Sequence, residues 1–154
     1  KIAIGLGMKI LAIDEQIKSA AITLEFFNGQ KTTFTIDTVQ KEVLLKDSDF
    51  ITLHVPSQDD YIISKNEFEQ MKDGVGIINT ARGGLLHEVD LVSAISSGKI
   101  QFAGLDVFET EPTPAVQLLM NPEISLTPHI GAGTNEAQER IGIELANQII
   151  ELLG

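Results

Sequence analysis

Residues 71–106 read MKDGVGIINTARGGLLHEVDLVSAISSGKIQFAGLD, and this stretch decides the fold. Val75 to Asn79 is a short apolar run, the pattern of a buried strand. Glu88 to Ser97 carries apolar residues at helical spacing and is stopped by Gly98. Ile100 to Asp106 is another apolar strand. Strand, helix and strand in so short a span make the repeating unit of a parallel sheet.

The same alternation extends outward. Phe50 to His54 reads as a strand, and Ser64 to Glu67 as a capping box opening a helix that ends near Gly74. Ile124 to Thr127 is a further strand. Thr134 to Leu153 is a long amphipathic helix with Ile141, Leu145, Ile149 and Leu152 on one face. Upstream, Asp37 to Gln40 resembles a second capping box, and Val39, Val43 and Leu44 mark the face of a short helix. Lys9 to Asp14 reads as a strand. Lys1 to Gly7 reads as the last turn of a helix closed by glycines, so more chain is expected ahead of it. One segment breaks the alternation. Ala21 to Phe27 and Gln30 to Ile36 flank Asn28-Gly29, a strong hairpin signal. The expected fold is therefore α/β, a doubly wound parallel sheet covered on both faces, with a β-hairpin inserted near residues 21–36.

Composition narrows the function. The 154 residues are 43% hydrophobic and 21% charged, which suits a globular core. Eleven Lys and Arg stand against twenty-two Asp and Glu, for a formal charge of −11. That argues against nucleic acid as a partner and against a polybasic membrane anchor. No apolar run approaches the roughly 18 residues of a spanning helix. There is no cysteine, so disulfide scaffolds, thiol nucleophiles and Cys–Zn sites are excluded. No signal-peptide pattern is present, and a cytoplasmic location is expected.

In an open parallel sheet, ligands bind beyond the carboxyl ends of the strands. The polar residues of this chain gather there. The strand ends run into Asp14, into His54-Val55-Pro56, into Asn79-Thr80-Ala81-Arg82-Gly83-Gly84, into Asp106 followed by Glu109 and Glu111, and into Pro128-His129-Ile130-Gly131-Ala132. Any one of them could simply tie down a loop, but five on one rim weaken that explanation. A carboxylate at Asp14 can accept both ribose hydroxyls of an adenosine and would repel a 2′-phosphate, which selects NAD over NADP. Arg82, among small residues, can clamp a carboxylate with two parallel bonds. His129 can carry a proton near neutral pH, and Glu111 on its other nitrogen would fix the tautomer. His54 is read as a packed strand-end residue and His87 as the surface start of a helix. The histidines are not spaced as a helical zinc pair, so no metal is expected, and there is no Gly-x-Ser-x-Gly elbow. Gly131-Ala-Gly133 before a helix could cradle a phosphate, a weak signal by itself.

Four strings together resemble the D-2-hydroxyacid dehydrogenase family: Ser48 to Pro56, Met71 to Gly84, Ser97 to Pro112, and Leu126 to Gly131. The resemblance runs from about Gly7 to the end. It implies a Rossmann-like NAD-binding domain over 1–133 without its first strand and phosphate loop. Residues 134–154 would then be a helix returning toward an absent substrate domain. It implies Arg82, Glu111 and His129 as the catalytic set. NAD would be held by Asp14, Val55, Pro56, Thr80, Ala81, Arg82, Asp106, His129, Gly131 and Ala132, with Asp106 on the carboxamide. The substrate would be a small 2-hydroxy acid and the assembly a homodimer. Within the family the chain resembles most the short phosphoglycerate dehydrogenases of serine biosynthesis. The alternatives are another member, such as a glyoxylate or hydroxypyruvate reductase, or a dinucleotide-sensing corepressor-like module. A piece inactive by itself is a third reading. Two features depart from the family pattern. His87 stands where an acidic helix cap is usual, a loss of about 1 kcal/mol. The hairpin is also longer than usual.

Overall fold

The computed structural model describes residues 1–153, which fall into two compact units. The first holds Lys1–Ser48 with Gln70–Lys72; the second holds Asp49–Glu69 and the chain from Asp73 onward. No helix among the described residues is long and apolar enough to cross a membrane.

The first unit opens with a single helical turn, α1 (Ile2–Gly5). Gly7, at φ 77°, donates its N–H to Ile4 O at 2.9 Å, and Met8 N–H reaches back to Ala3 O at 3.0 Å. This is the double closure expected of a helix ending on a left-handed glycine. The segment Lys9 to Asp14 is not a strand. Only Ala12 forms a bridge, to Thr38, because no neighbouring chain takes up the other backbone groups. The hairpin is present, between β1 (Ser19–Glu25) and β2 (Lys31–Asp37), paired antiparallel from Ser19↔Asp37 to Glu25↔Lys31. Gly29 takes φ 81° at the turn, and Asn28 Oδ1 accepts from Gln30 N–H at 3.0 Å. The capping box expected at Asp37–Gln40 does not form. Asp37 is still paired in β2, and α2 (Lys41–Asp47) starts from Gln40 without a side-chain cap.

The second unit is a four-stranded parallel sheet in the order β3 (Phe50–Leu53), β4 (Val75–Asn79), β5 (Ile100–Leu105), β6 (Ile124–Leu126). Between them lie α3 (Lys65–Gln70), α4 (Glu88–Ser96) and α5 (Val116–Leu119). The fold is the expected α/β class, a Rossmann-like parallel sheet with an antiparallel hairpin. At Ser64 the return half of the expected capping box is present, with the Ser64 N–H and hydroxyl both donating to Glu67 Oε2, at 2.9 and 2.8 Å.

Register sorts the strand residues into two faces. Ile51, Ile77, Ala103 and Ile124 align on one, and all four are buried. Thr52, Ile78, Gly104 and Ser125 align on the other, beside Phe50 and Phe102, which pack ring to ring at 5.9 Å. That face is open, with Phe50 54% exposed. The opposite face, with Ile51, Ile77, Ala103 and Ile124, is the covered one. The order is sequential, so every right-handed crossover steps the same way and lays its helix on the same side. α6 (Asn135–Leu153) is the long helix expected. Thr134 Oγ1 caps it by accepting from Ala137 N–H at 3.1 Å. Its apolar face, including Ile141, Leu145, Ile149 and Leu152, is exposed, and only Ala137 is buried.

Candidate active site

Leu53, Asn79, Leu105 and Leu126 stand opposite one another as the last residues of their strands. The loops that follow therefore leave one edge of the sheet together. They carry Val55, Pro56, Thr80, Ala81, Arg82, Asp106, Glu111, His129, Gly131 and Ala132. Asp14 belongs to the other unit. There its Oδ1 accepts from the N–H groups of Gln16 and Ile17, each at 2.8 Å, and those two bonds hold its carboxyl below the ordinary range.

Asn79 braces the arginine loop. It is buried, its Nδ2 donates to Arg82 O at 2.8 Å, and its Oδ1 accepts from Ala81 N–H at 3.1 Å. The sequence places this residue at the strand end but gives it no role. The available signal was an amide side chain closing an otherwise apolar strand. Arg82 is exposed and spends one donor, Nη1, on Ala81 O at 2.6 Å. The rest of its fork faces outward, able to meet a carboxylate. After it, a 3₁₀ turn (Gly83–Leu85) runs against the next loop. A Cβ on Gly83 would lie 1.8 Å from the Phe108 carbonyl oxygen, so only glycine fits.

Asp106 organises the histidine loop. Its Oδ1 accepts from the Thr127 hydroxyl at 2.6 Å and from Ile130 N–H at 2.9 Å; its Oδ2 accepts from Gly131 N–H at 3.0 Å. Burial pushes the carboxyl up. The three hydrogen bonds outweigh it, and the group stays below the usual aspartate range. Within the loop His129 sits at φ 54°, the left-handed region, where a non-glycine residue costs of order 1 kcal/mol or more. Its N–H donates to Thr127 O at 3.0 Å. Strain of this kind persists where surroundings over-determine it, and Asp106 supplies the surroundings here.

The imidazole meets Glu111, with Nδ1 2.8 Å from Oε2. Glu111 Oε1 also accepts from Phe108 N–H at 3.1 Å. The His129 bond, then the Phe108 bond, holds this carboxyl below the ordinary glutamate range, so it is ionised at neutral pH. An ionised acceptor requires Nδ1 to carry the hydrogen, which leaves the Nε2 lone pair available to take a proton. The sequence pairing of Glu111 with His129 is thus realised in geometry.

The other histidines lie elsewhere. His54 is exposed rather than packed, with Nε2 3.1 Å from Thr52 Oγ1, because its strand ends at Leu53 and the side chain leaves the sheet. His87 precedes α4, as expected, and makes no side-chain cap bond. Among the described residues no group of three or more His, Asp or Glu is gathered as a metal set.

Comparison with known proteins gives the same direction. Residues 1–131 match the family model described as D-isomer specific 2-hydroxyacid dehydrogenase, NAD binding domain. A protein of Thermotoga maritima named hydroxypyruvate reductase is 43% identical over all of this chain and 48% of its own length. A protein of Archaeoglobus fulgidus named D-3-phosphoglycerate dehydrogenase is 44% identical over 76% of this chain and 23% of its own. The crystal structure of a glyoxylate reductase from Paecilomyes thermophila superposes with a TM-score of 0.67 and 43% identity, over 70% of this chain and 34% of that one. The chain belongs to the D-isomer specific 2-hydroxyacid dehydrogenases, in the part that binds NAD. It spans about half or less of the length of the relatives it matches.

Proposed function

We propose that the protein carrying this chain oxidises a D-2-hydroxy acid with NAD, and that the acid is 3-phosphoglycerate, giving 3-phosphohydroxypyruvate. The observation that carries the reaction class is the Glu111–His129 pair at 2.8 Å on the rim that also bears Arg82. Relatives named D-3-phosphoglycerate dehydrogenase support the substrate. In this reading residues 1–133 form the cofactor domain and 134–154 the helix leading out of it.

The residues present suit a dinucleotide. Asp106 Oδ2 takes one donor from the chain, Gly131 N–H, and keeps room for a second, as a carboxamide N–H would need. Gly131 and Ala132 are exposed beside it, and Val55, Pro56, Thr80 and Ala81 lie at the ends of the neighbouring strands. Asp14, exposed, is the residue for the adenosine ribose. When bound, NAD supplies the hydride acceptor. Arg82 holds the substrate carboxylate. His129 Nε2 takes the hydroxyl proton as the C2 hydride departs, and Glu111 stabilises the imidazolium that results. In the reverse direction the imidazolium returns the proton. The bond to Glu111 holds the ring in this position before substrate arrives.

A second reading has an observation of its own. The Thermotoga maritima relative, matched over all of this chain, is named hydroxypyruvate reductase. In this reading Arg82, Glu111 and His129 act on hydroxypyruvate in the reducing direction. Steady-state assays of the whole protein with 3-phosphoglycerate, hydroxypyruvate and glyoxylate separate the two by kcat/KM. His129→Ala should lower kcat by about 10²–10⁴-fold while NAD binding is kept, the usual contribution of a positioned proton acceptor. Near-normal turnover in that variant would remove His129 from the mechanism. NAD binding without oxidation of any acid would favour a sensing module. A second copy of the chain is the proposed partner, supported by the exposed apolar face of α6, and sedimentation of the whole protein tests it.

A further inference from the structure

Two other carboxylates grip each other across the loops that carry the site. Glu88 opens α4 and is buried; Glu109 lies two residues before Glu111. Glu88 Oε1 accepts from Glu109 N–H at 2.7 Å, and Glu109 Oε1 accepts from Glu88 N–H at 2.8 Å. A helix start normally has its first amides satisfied by the preceding side chain. Here that residue is His87, which gives no cap bond. Its Nδ1 lies 2.7 Å from Asp90 Oδ2, and its ring packs against Tyr61 at 4.7 Å. Glu109, 21 residues further along the chain, does the capping instead.

The clamp stands one peptide away from the proton-transfer pair. Phe108 N–H donates to Glu111 Oε1, and Glu111 Oε2 receives the His129 Nδ1–H. The Phe108 carbonyl rests on Gly83, and the Glu109 amide that follows is held by Glu88. The peptide between Phe108 and Glu109 is thus held at both edges, directly after the residue whose N–H meets Glu111.

We propose that Glu109, through its reciprocal bonds with Glu88, is a positioning residue that sets the orientation of Glu111 and so the tautomer of His129. The inference rests on reading Glu111–His129 as the proton-transfer pair. Glu109 touches no reacting atom. It acts by reach, not by charge, and this separates its variants. Glu109→Gln keeps an acceptor at the same distance. Glu109→Asp keeps the charge but is one methylene too short. Glu109→Ala lacks both.

The test is the side-chain ¹⁵N spectrum of the histidines in this chain, recorded well above the imidazole titration. The His129 signals are those lost in His129→Gln. Wild type and Glu109→Gln should show mainly the Nδ1–H tautomer. Glu109→Asp and Glu109→Ala should show its ratio to the Nε2–H form falling at least twofold. Should Glu109→Ala fail to fold, the contrast between Asp and Gln still decides. An unchanged ratio in Glu109→Asp overturns the proposal, and so does a Gln variant that drifts with it. A wild-type His129 already in the Nε2–H form would overturn the pair itself, a distinct result that needs no turnover measurement.

Discussion

At the residue scale the two buried carboxyl groups of the rim behave oppositely. Asp106 is lowered by the donors converging on it. Glu88 is raised, chiefly by burial, with the Glu109 carboxylate adding to the rise. The sign follows for stability. A raised carboxyl contributes stability that is complete below its unfolded value, about 4.5, and is lost as pH rises through its folded value. Glu88→Gln removes that titration and keeps an acceptor for the Glu109 N–H. The stability of Glu88→Gln relative to wild type should therefore increase from pH 4 to pH 7. Urea melts across that range measure it, and a flat difference would mean Glu88 is not held unfavourably as the anion. Little of this was legible beforehand. Arg82, Glu111 and His129 could be picked from residue type and position after a strand. The brace from Asn79, the grip of Glu88 on Glu109 and the left-handed His129 could not, because each depends on atoms that meet only after the loops have packed.

At the element scale the decisive contact joins the 3₁₀ turn after Arg82 to the loop after β5. Gly83 sits flush on the Phe108 backbone, and the added methyl of Gly83→Ala would collide with a carbonyl that cannot rotate aside. Overpacking against backbone costs about 1–3 kcal/mol. The variant should lose that much in a denaturant melt and should also broaden the His129 side-chain signals, since Phe108 carries the amide that holds Glu111. Gly76 is the useful contrast. Its added methyl would meet the Phe102 and Phe50 rings, which are exposed and can swing away, so Gly76→Ala should cost less. Periodicity identified most elements, since β4, β5 and α4 carry their patterns locally. It failed at Lys9–Asp14 and at Asp37–Gln40. A strand needs a partner to take its hydrogen bonds, and a capping residue must be free of the ladder it leaves.

For the molecule as a whole, the open sheet face is the main consequence of topology. Phe50, Ile78 and Phe102 form an exposed apolar patch on one side of a sheet whose other side is fully packed. Contiguous apolar surface of this kind binds hydrophobic dyes and drives association. The 154-residue chain should enhance ANS fluorescence while folded, and Phe102→Ser with Ile78→Ser should reduce that signal by half or more without loss of far-UV helical content. An unchanged signal would place the dye on α6 instead.

The sequence by itself determined the α/β class, the hairpin and the family, and it singled out Arg82, Glu111 and His129 as candidates. These rest on local periodicity, on turn residues and on the fact that strand ends are adjacent in any parallel sheet. Tertiary structure alone decided which groups hold those residues in place. Glu88 and Glu109 are 21 residues apart, as are Asp106 and Thr127, and their bonds exist only because β4, β5 and β6 align in register. It also decided that the crossover helices between β3 and β6 share one side of the sheet, because the side a crossover helix takes depends on the order of the strands and not on any residue in them.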